Sequence, residues 1–277
     1  MISSYCCICN KKQQFKIYIK YFNELVFKNY NGISLYRCIN CGVLKSISSK
    51  KNIINPKQSR VRLFESKQLD YKDKFKFLVA SLQQYKKSGK ILDVGCSSGI
   101  LLKLLQDLGY EVFGIEPNYK AYLEAKKKLG GRIYKGKIEE YIIKNKSKFD
   151  IIIYNHVLEH VNNPRKELKL AGEVLKKNGL FVFGLPNTSN IIFYLRSKYW
   201  ESLMAREHIW HFSKKQFIDL LTDLNIAVKQ VYYSNHDRND YPLLKRLYFY
   251  LLVILNRLFK TGEAMLILAF KKQDNKL

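Results

Sequence analysis

The chain has 277 residues, of which 49 are Lys or Arg and 23 are Asp or Glu, for a formal net charge of +26. Hydrophobic residues make up 47% of it, enough for a core, which excludes a disordered or low-complexity chain. Six cysteines are too few for a disulfide scaffold at this length. The N-terminus lacks a signal-peptide-like apolar run, and the longest uncharged apolar stretch near the C-terminus, 247–255, is too short to span a bilayer. We therefore expect a cytoplasmic protein.

The basic residues are mostly Lys and are spread over the whole chain, with no single tract of like charge. Proteins that recognise specific bases favour Arg, because its planar fork matches base edges. A dispersed Lys-rich charge is typical of solvated faces, or of anionic partners such as phosphates, nucleotide-sugars or a membrane surface. The charge assigns no function by itself and does not favour nucleic acid as the partner.

Three segments follow one another along the chain. Residues 1–50 hold five of the six cysteines, and residues 51–88 have the helical pattern of a connector or lid. From 89 to 277, short apolar runs alternate with helical stretches. Strands are predicted at 91–94, 111–115, 149–154, 180–185, 226–233 and 264–270, and helices at 99–108, 118–129, 164–177, 214–224 and 242–260. This alternation predicts an α/β domain with a parallel sheet and helices on both faces, preceded by a small module.

The first segment contains two Cys-x2-Cys pairs, Cys6 with Cys9 and Cys38 with Cys41. Four thiolates paired in this way suit a closed structural zinc site, which predicts a zinc ribbon. A module this small has little core of its own, so metal binding would supply much of its folding free energy. Cys7 is a register alternative to Cys6, and reduced unliganded cysteines or a redox dithiol are the other interpretations.

A buried strand at 90–94 leads into a glycine turn and then directly into an apolar helix. Gly95 and Gly99 permit a sharp turn and a close approach of a ligand to the backbone, where the new helix presents N–H groups. Asp93 stands at the strand's C-terminal end, where open α/β sheets bind ligands. Glu116 ends the next strand, where a carboxylate can accept both hydroxyls of a ribose. The arrangement predicts a site for a cofactor that contains a nucleoside.

The turn Asp93-Val-Gly-Cys-Ser-Ser-Gly99 resembles the first motif of the class I S-adenosylmethionine-dependent methyltransferases, Asp-x-Gly-x-Gly-x-Gly, with Ser97 replacing the middle glycine. The stretches 149–161 and 175–187 resemble the family's fourth and fifth strands, so the resemblance covers about residues 89 to 270. It implies a Rossmann-like sheet and S-adenosylmethionine as cofactor, with Ile138 beside the adenine and Asn155 beside the methionine part. The implied cofactor-binding residues are Asp93, Gly95, Cys96, Ser97, Gly99, Glu116, Pro117, Ile138 and Asn155.

The pattern Glu207-His208-x-x-x-Phe-Ser, with His160 and the N-terminal cysteine pairs, is similar to nucleotide-sugar C-methyltransferases of deoxysugar pathways. The similarity implies that His208 is the general base, Glu207 its orienting partner and His160 a second acid or base. His211 stands where that group usually has Tyr, and their large C-terminal domain is missing from this chain. We therefore expect a small-molecule acceptor, a sugar or nucleotide-sugar of a polysaccharide pathway, methylated on carbon or oxygen.

Several alternatives stay open at this point. His156, Glu159 and His160 resemble the Glu-x2-Glu-His of ubiquinone-pathway O-methyltransferases, some of which use a divalent ion, although Glu159 is expected to be a carboxylate at a helix start. His208 could instead brace the helix that begins near Ser213. Charge and zinc ribbon also suggest an RNA methyltransferase, but no Asn-Pro-Pro-Tyr-type tetrapeptide follows the fourth strand. A non-catalytic nucleic-acid-binding zinc ribbon is the remaining alternative.

The predicted helix 242–260 is mostly apolar, with Lys245, Arg246, Asn256 and Arg257 at positions that share one face. We expect it to cover the sheet between the last two strands. The alternative is a peripheral contact with the inner face of a membrane, with the basic residues at the headgroups.

Overall fold

The computed structural model describes residues 1–19, 32–48, 68–145 and 147–272. Its first sheet is an antiparallel meander of β1 (Ile2–Cys6), β2 (Lys11–Ile19), β3 (Ile33–Cys38) and β4 (Leu44–Ser48). A fifth strand, β10 (Trp210–His211), comes from far along the chain and pairs antiparallel with β4. The sheet of the predicted N-terminal module is therefore completed by residues of the second half of the chain.

The second sheet has seven strands in the order β11-β12-β9-β8-β5-β6-β7. Their bounds are β5 Lys90–Val94, β6 Glu111–Glu116, β7 Ile133–Lys135, β8 Phe149–Asn155, β9 Leu175–Pro186, β11 Ile226–Ser234 and β12 Ala264–Lys271. The strands β5 to β9 are parallel, whereas β12 is antiparallel to both β9 and β11. The expectation of a parallel sheet was wrong for β12. The segment after β11 returns at the same end of the strands instead of crossing a face of the sheet, so β12 runs antiparallel to β11.

Eight α-helices lie in the described parts of the chain. They are α1 (Gln68–Gln83), α2 (Ile100–Asp107), α3 (Tyr119–Leu129), α4 (Ile138–Lys144), α5 (Pro164–Val174), α6 (Ile191–Arg196), α7 (Lys214–Thr222) and α8 (Leu243–Leu258). Five of them confirm helices predicted after residue 89, within a few residues at each end. After residue 89, the α-helices and strands that the sequence did not predict are α4, α6, β7 and β10, which are too short to show a clear periodicity. The predicted connector 51–88 is helical from Gln68, and residues 49–67 lie outside the described residues.

Alternate residues of β5 and β8 enter two different cores, one on each face of the central sheet. Helices α1, α2 and α3 pack on one face, with Leu82 and Leu102 fully buried. Helices α4, α5 and α7 pack on the other face, together with Phe15 and Val43 of the N-terminal sheet. Because the two sheets share one hydrophobic core, the N-terminal segment packs directly against the domain built on the central sheet. Its boundary near residue 50 stays a prediction.

Helix α8 packs Phe249 and Leu252 against α6 and the N-terminal sheet, so the expectation that it covers the central sheet was wrong. Asn256, predicted on a polar face, is fully buried. Its amide is satisfied there, because Oδ1 accepts from the Ile191 N–H at 2.8 Å and Nδ2 donates to Asn235 Oδ1 at 2.8 Å. The opposite side of α8 is exposed and apolar. It consists of Leu244, Leu247, Leu251, Leu255 and Leu258. Across the described ranges, none of the helices has both the length and the apolar content to cross a membrane.

Candidate active site

The glycine turn after β5 is held against the end of β6. The Gly95 and Cys96 N–H groups donate to the Ile115 carbonyl at 2.8 and 3.1 Å. Gly95 has φ 78°, and a Cβ on it would lie 2.6 Å from Val157 Cγ2, so a side chain does not fit there. The turn therefore packs closely against the segment that follows β8, at the carboxyl end of β5.

Ser97 occupies the left-handed region with φ 50°, the conformation that the family's middle glycine would take without strain. Its N–H donates to Glu116 Oε2 at 2.9 Å, which ties the turn to the end of β6. Serine is therefore accommodated in the turn at this position. Its cost is backbone strain at one residue.

Two buried carboxylates meet at this point. Glu116 also accepts from the Asn118 N–H at 2.6 Å, next to Pro117. Asp93 is buried at the end of β5, and burial together with the nearby charge of Glu116 raises its pKa to about 7. Ile138 is fully buried at the start of α4, and the Asn155 side chain lies against Gly184.

The residues predicted to bind the cofactor stand at the carboxyl ends of β5, β6 and β8 and at the start of α4, around the point where the strand order reverses. A tight glycine turn beside a buried carboxylate suits a cofactor that contains a nucleoside, because the carboxylate can accept from ribose hydroxyls. The residues present therefore fit S-adenosylmethionine, and each assignment to a part of it stays a prediction.

Glu159 lies in the turn between β8 and α5 and is 1% exposed, so the expectation of a carboxylate at a helix start was wrong. Its Oε1 accepts from His156 Nδ1 at 3.1 Å. Burial opposes its charge, but that hydrogen bond and the proximity of His160 and His208 hold the pKa of the carboxyl well below its usual range. Glu159 is thus a buried anion surrounded by imidazoles.

The rings of His160 and His208 pack edge to face with their centroids 4.7 Å apart. One nitrogen of each and a Glu159 oxygen all lie within 4.8 Å of one another. His160 Nδ1 donates to the Glu207 carbonyl at 2.8 Å, which places the lone pair of the neutral ring on Nε2. Two imidazoles and a carboxylate can accept a proton or hold a divalent metal. The three residues that the structure brings together are Glu159, His160 and His208. The metal alternative from the sequence therefore changes one ligand, with His208 in place of His156.

His208 does not cap the helix after it, because α7 begins with its own capping box between Ser213 and Gln216. Glu207 reaches His160 through its main-chain carbonyl, so a role of its carboxylate as orienting partner stays a prediction. His211 is buried, with Nε2 2.8 Å from Ser46 Oγ, and burial lowers its pKa to about 3. His211 is therefore a neutral structural histidine.

The sulfur atoms of Cys6, Cys9, Cys38 and Cys41 all lie within 4.8 Å of one another. The Cys6–Cys41 and Cys9–Cys38 separations are 3.5 and 3.9 Å. Tetrahedral zinc with Zn–S bonds of about 2.3 Å separates its sulfurs by about 3.8 Å, so the four thiols fit a zinc ion. Cys7 is buried in the core and lies outside this group, which favours Cys6 as the ligand.

Sequence reasoning missed Ser46 and Arg165, which touch the histidine segment and the first cysteine pair. Both contacts join residues more than 150 positions apart, and β10 is only two residues long. A single sequence carries no signal of this pairing.

The fold with this site is that of a class I S-adenosylmethionine-dependent methyltransferase. A family model described as "Methyltransferase domain" matches residues 44–231, and the chain belongs to this family. A solved structure of a SAM-dependent methyltransferase from Methanosarcina mazei superposes with a TM-score of 0.51 at 18% identity, covering 70% of this chain and 98% of that one. At this identity the likeness concerns the fold alone.

Two curated relatives carry the name "Ubiquinone biosynthesis O-methyltransferase". The one from Pelagibacter ubique is 30% identical over 162 residues, which are 52% of this chain and 67% of that protein. The one from Colwellia psychrerythraea is 37% identical over 106 residues, 36% of this chain and 43% of that protein. The chain is thus an S-adenosylmethionine-dependent methyltransferase related to O-methyltransferases, and these comparisons do not support the similarity to sugar methyltransferases.

We predict that Ser97→Gly stabilises the cofactor-free protein by roughly 0.5–1 kcal/mol, because glycine removes the left-handed strain at this φ. Thermal unfolding should show a rise in Tm of about 2 °C. The matched control is Ser98→Gly, one residue along in the same turn and without a positive φ, which should lower the Tm. Equal shifts for the two variants would contradict the prediction.

Proposed function

We propose that this methyltransferase transfers a methyl group to a hydroxyl of a small-molecule acceptor, with an imidazole of the His160–His208 pair as the general base. The observation that carries the proposal is the buried Glu159 anion between these imidazoles. It lies in the turn that follows β8, at the same edge of the sheet as the glycine turn. The names of the relatives support transfer to oxygen over transfer to carbon.

When bound, S-adenosylmethionine supplies an activated methyl group on a positively charged sulfur. The chain's own residues must orient the acceptor and remove its proton. His208, or His160 as the second acid or base, would take the proton of the acceptor hydroxyl as its oxygen receives the methyl group that the cofactor would supply. The Glu159 carboxylate stabilises the imidazolium that results, because two opposite charges lie close together away from water. Glu207 is assigned to orienting His208 or to binding the acceptor molecule.

The acceptor class has two versions. The Glu207-His208 pattern favours a sugar or nucleotide-sugar of a polysaccharide pathway, whereas the relatives' names favour a phenol of the ubiquinone-precursor type. Both versions use a hydroxyl and the same base. We keep the sugar as our proposal because of the Glu207-His208 pattern. A matched screen of nucleotide-sugars and catechols with labelled cofactor separates them.

Cofactor binding has a direct test in calorimetric titration with S-adenosylhomocysteine. We expect micromolar affinity, about −8 kcal/mol. Glu116→Gln should weaken it about 10- to 100-fold, because a charged acceptor for the ribose hydroxyls is lost. The control is Glu111→Gln at the exposed start of the same strand, which should bind as the wild type does. Unchanged affinity in Glu116→Gln would contradict the ribose assignment.

His208→Ala should lower kcat about 10²- to 10⁴-fold, as expected for loss of a general base, with no change in S-adenosylhomocysteine affinity. His236→Ala serves as control, since His236 bonds to Ser202 in the loop after β11 and has no place in the proposed chemistry. Full turnover in His208→Ala would remove the base assignment.

The same variant decides the metal alternative at Glu159, His160 and His208. A base requires no added ion, whereas a metal site predicts that Mg²⁺ or Mn²⁺ is needed for turnover and that His208→Ala raises the concentration needed. Dependence of turnover on the ion would replace the base assignment by a metal site held by Glu159, His160 and His208.

The exposed apolar side of α8 supports a peripheral contact with the inner, anionic face of a membrane. The helix contains no acidic residue, and Lys245, Arg246 and Arg257 are exposed on its flanks. An apolar face bordered by basic residues is the arrangement that binds anionic bilayers.

We expect the protein to sediment with phosphatidylglycerol vesicles, and the double variant Leu247→Ser with Leu251→Ser to bind them at least tenfold more weakly. The matched control is Leu108→Ser with Ile143→Ser, because these leucine and isoleucine side chains are equally exposed but lie elsewhere. Equal binding of both double variants would rule out α8 as the contact.

A further inference from the structure

The segment that carries His208 is fixed on one side by Glu159 and on the other by the N-terminal sheet. The Ile209 and Trp210 N–H groups both donate to the Glu159 carbonyl, at 2.7 and 3.1 Å. From the other side, the Ser46 N–H donates to the Ile209 carbonyl at 2.9 Å, and β10 pairs with β4. The main chain directly after His208 is therefore held between these two neighbours, while the His208 N–H itself donates to the Met204 carbonyl at 2.9 Å.

Side chains strengthen the contact with β4. Ser46 Oγ lies 2.8 Å from His211 Nε2, and both residues are buried. Lys45 stacks its ammonium over the Trp210 ring at 4.5 Å and donates to Ser4 Oγ and to the Tyr5 carbonyl. Lys45 thus links the histidine segment to β1, the strand that ends at the first cysteine pair.

Each cysteine pair is held by one side chain of the methyltransferase domain. Arg165 on α5 donates to the Cys7 carbonyl at 2.9 Å and to the Ile8 carbonyl at 2.7 Å, inside the first pair. Gln216 on α7 donates to the Cys41 carbonyl at 3.3 Å, inside the second. Movement of the cysteine module is therefore transmitted directly to the helices and strand around His208.

We propose that the cysteine module, with Ser46 as a positioning residue, holds the His208 segment in its catalytic position. The proposal rests on the proposed function for the role of His208, but the geometric claim stands by itself. The cofactor turn has a separate support, since Gly95, Cys96 and Ser97 bond to Ile115 and Glu116. Loss of the zinc-bound module should therefore loosen the histidine segment and leave the cofactor turn in place.

The first experiment is hydrogen–deuterium exchange of the full chain, zinc-loaded and after removal of zinc by a chelator. Peptides that cover 207–211 should exchange at least tenfold faster without zinc. The reason is that this segment loses its pairing with β4, and its hydrogen bonds to the Glu159 carbonyl weaken. Peptides that cover β5 and β6 should keep their protection, and affinity for S-adenosylhomocysteine should change less than threefold. Unchanged exchange at 207–211 while β3 and β4 lose protection would overturn the proposal.

The second experiment avoids metal removal. Ser46→Ala should speed exchange at 207–211 about tenfold and lower kcat more than it raises KM, with cofactor affinity unchanged. Ser46→Thr, which restores the hydroxyl, should recover much of both. The matched control is Ser34→Ala, a buried serine on the adjacent strand β3, which should leave exchange at 207–211 unaltered.

The two readouts separate failure of this proposal from failure of the proposed function. If no acceptor is methylated, the exchange data still decide whether the module holds the segment. If Ser46→Ala loses turnover without faster exchange at 207–211, the effect does not act through this segment and the positioning role is wrong.

Discussion

The main-chain carbonyl of Glu159 accepts hydrogen bonds from both Ile209 and Trp210. This one carbonyl joins the turn after β8 to the segment that carries His208. The turn after β8 brings Glu159 and His160 to the edge of the central sheet, and the paired segment brings His208 to the same place. The strand β10 exists only because this segment is held between the Glu159 turn and β4. Without that constraint, the last part of the segment 197–213 between α6 and α7 would lose its main-chain partners in both neighbours.

Charge is arranged oppositely at the two ends of the proposed site. On the cofactor side, Asp93 and Glu116 are close carboxylates, and their repulsion with burial raises the pKa of Asp93 to about 7. On the acceptor side, Glu159 is surrounded by histidines, which keep its pKa low despite burial. The first arrangement concentrates negative charge at the carboxyl ends of β5 and β6, and the second places a buried carboxylate beside imidazole rings. Burial is the larger cause of the raised pKa of Asp93, with the charge of Glu116 adding to it, whereas the histidines around Glu159 outweigh burial and lower its pKa.

The segment between β11 and β12 forms the helix α8, which packs outside the central sheet. It places α8 on α6 and the N-terminal sheet, fixed by the buried Asn256 and by Arg238, whose guanidinium donates to Glu201 and to the fully buried Glu263. Because these polar contacts are buried and paired, the helix has a specific orientation, with one apolar side outward. That orientation makes the outward face a candidate for contact with a lipid surface instead of a fault in packing.

The amino-acid sequence by itself determined the longer strands and helices of the central domain, the glycine turn and the cysteine pairs. These features depend on residues close together in the chain: alternating apolar runs, Gly95 with Gly99, and Cys-x2-Cys spacing. It also identified His160 and His208 by resemblance, although Glu159 was assigned to a helix start and His156 to the metal alternative. The partners of these histidines could not be predicted from local pattern.

Only the tertiary structure decided that β12 is antiparallel, that β10 completes the N-terminal sheet, and that Ser46 and Arg165 connect the cysteine module to the domain. Each of these depends on contacts between distant residues, and a two-residue strand has no periodicity to detect. The buried state of Glu159 follows from the same packing, because its environment consists of three side chains from two separated segments. Local propensity shapes the elements, while the position of the proposed base depends on which distant strands pair.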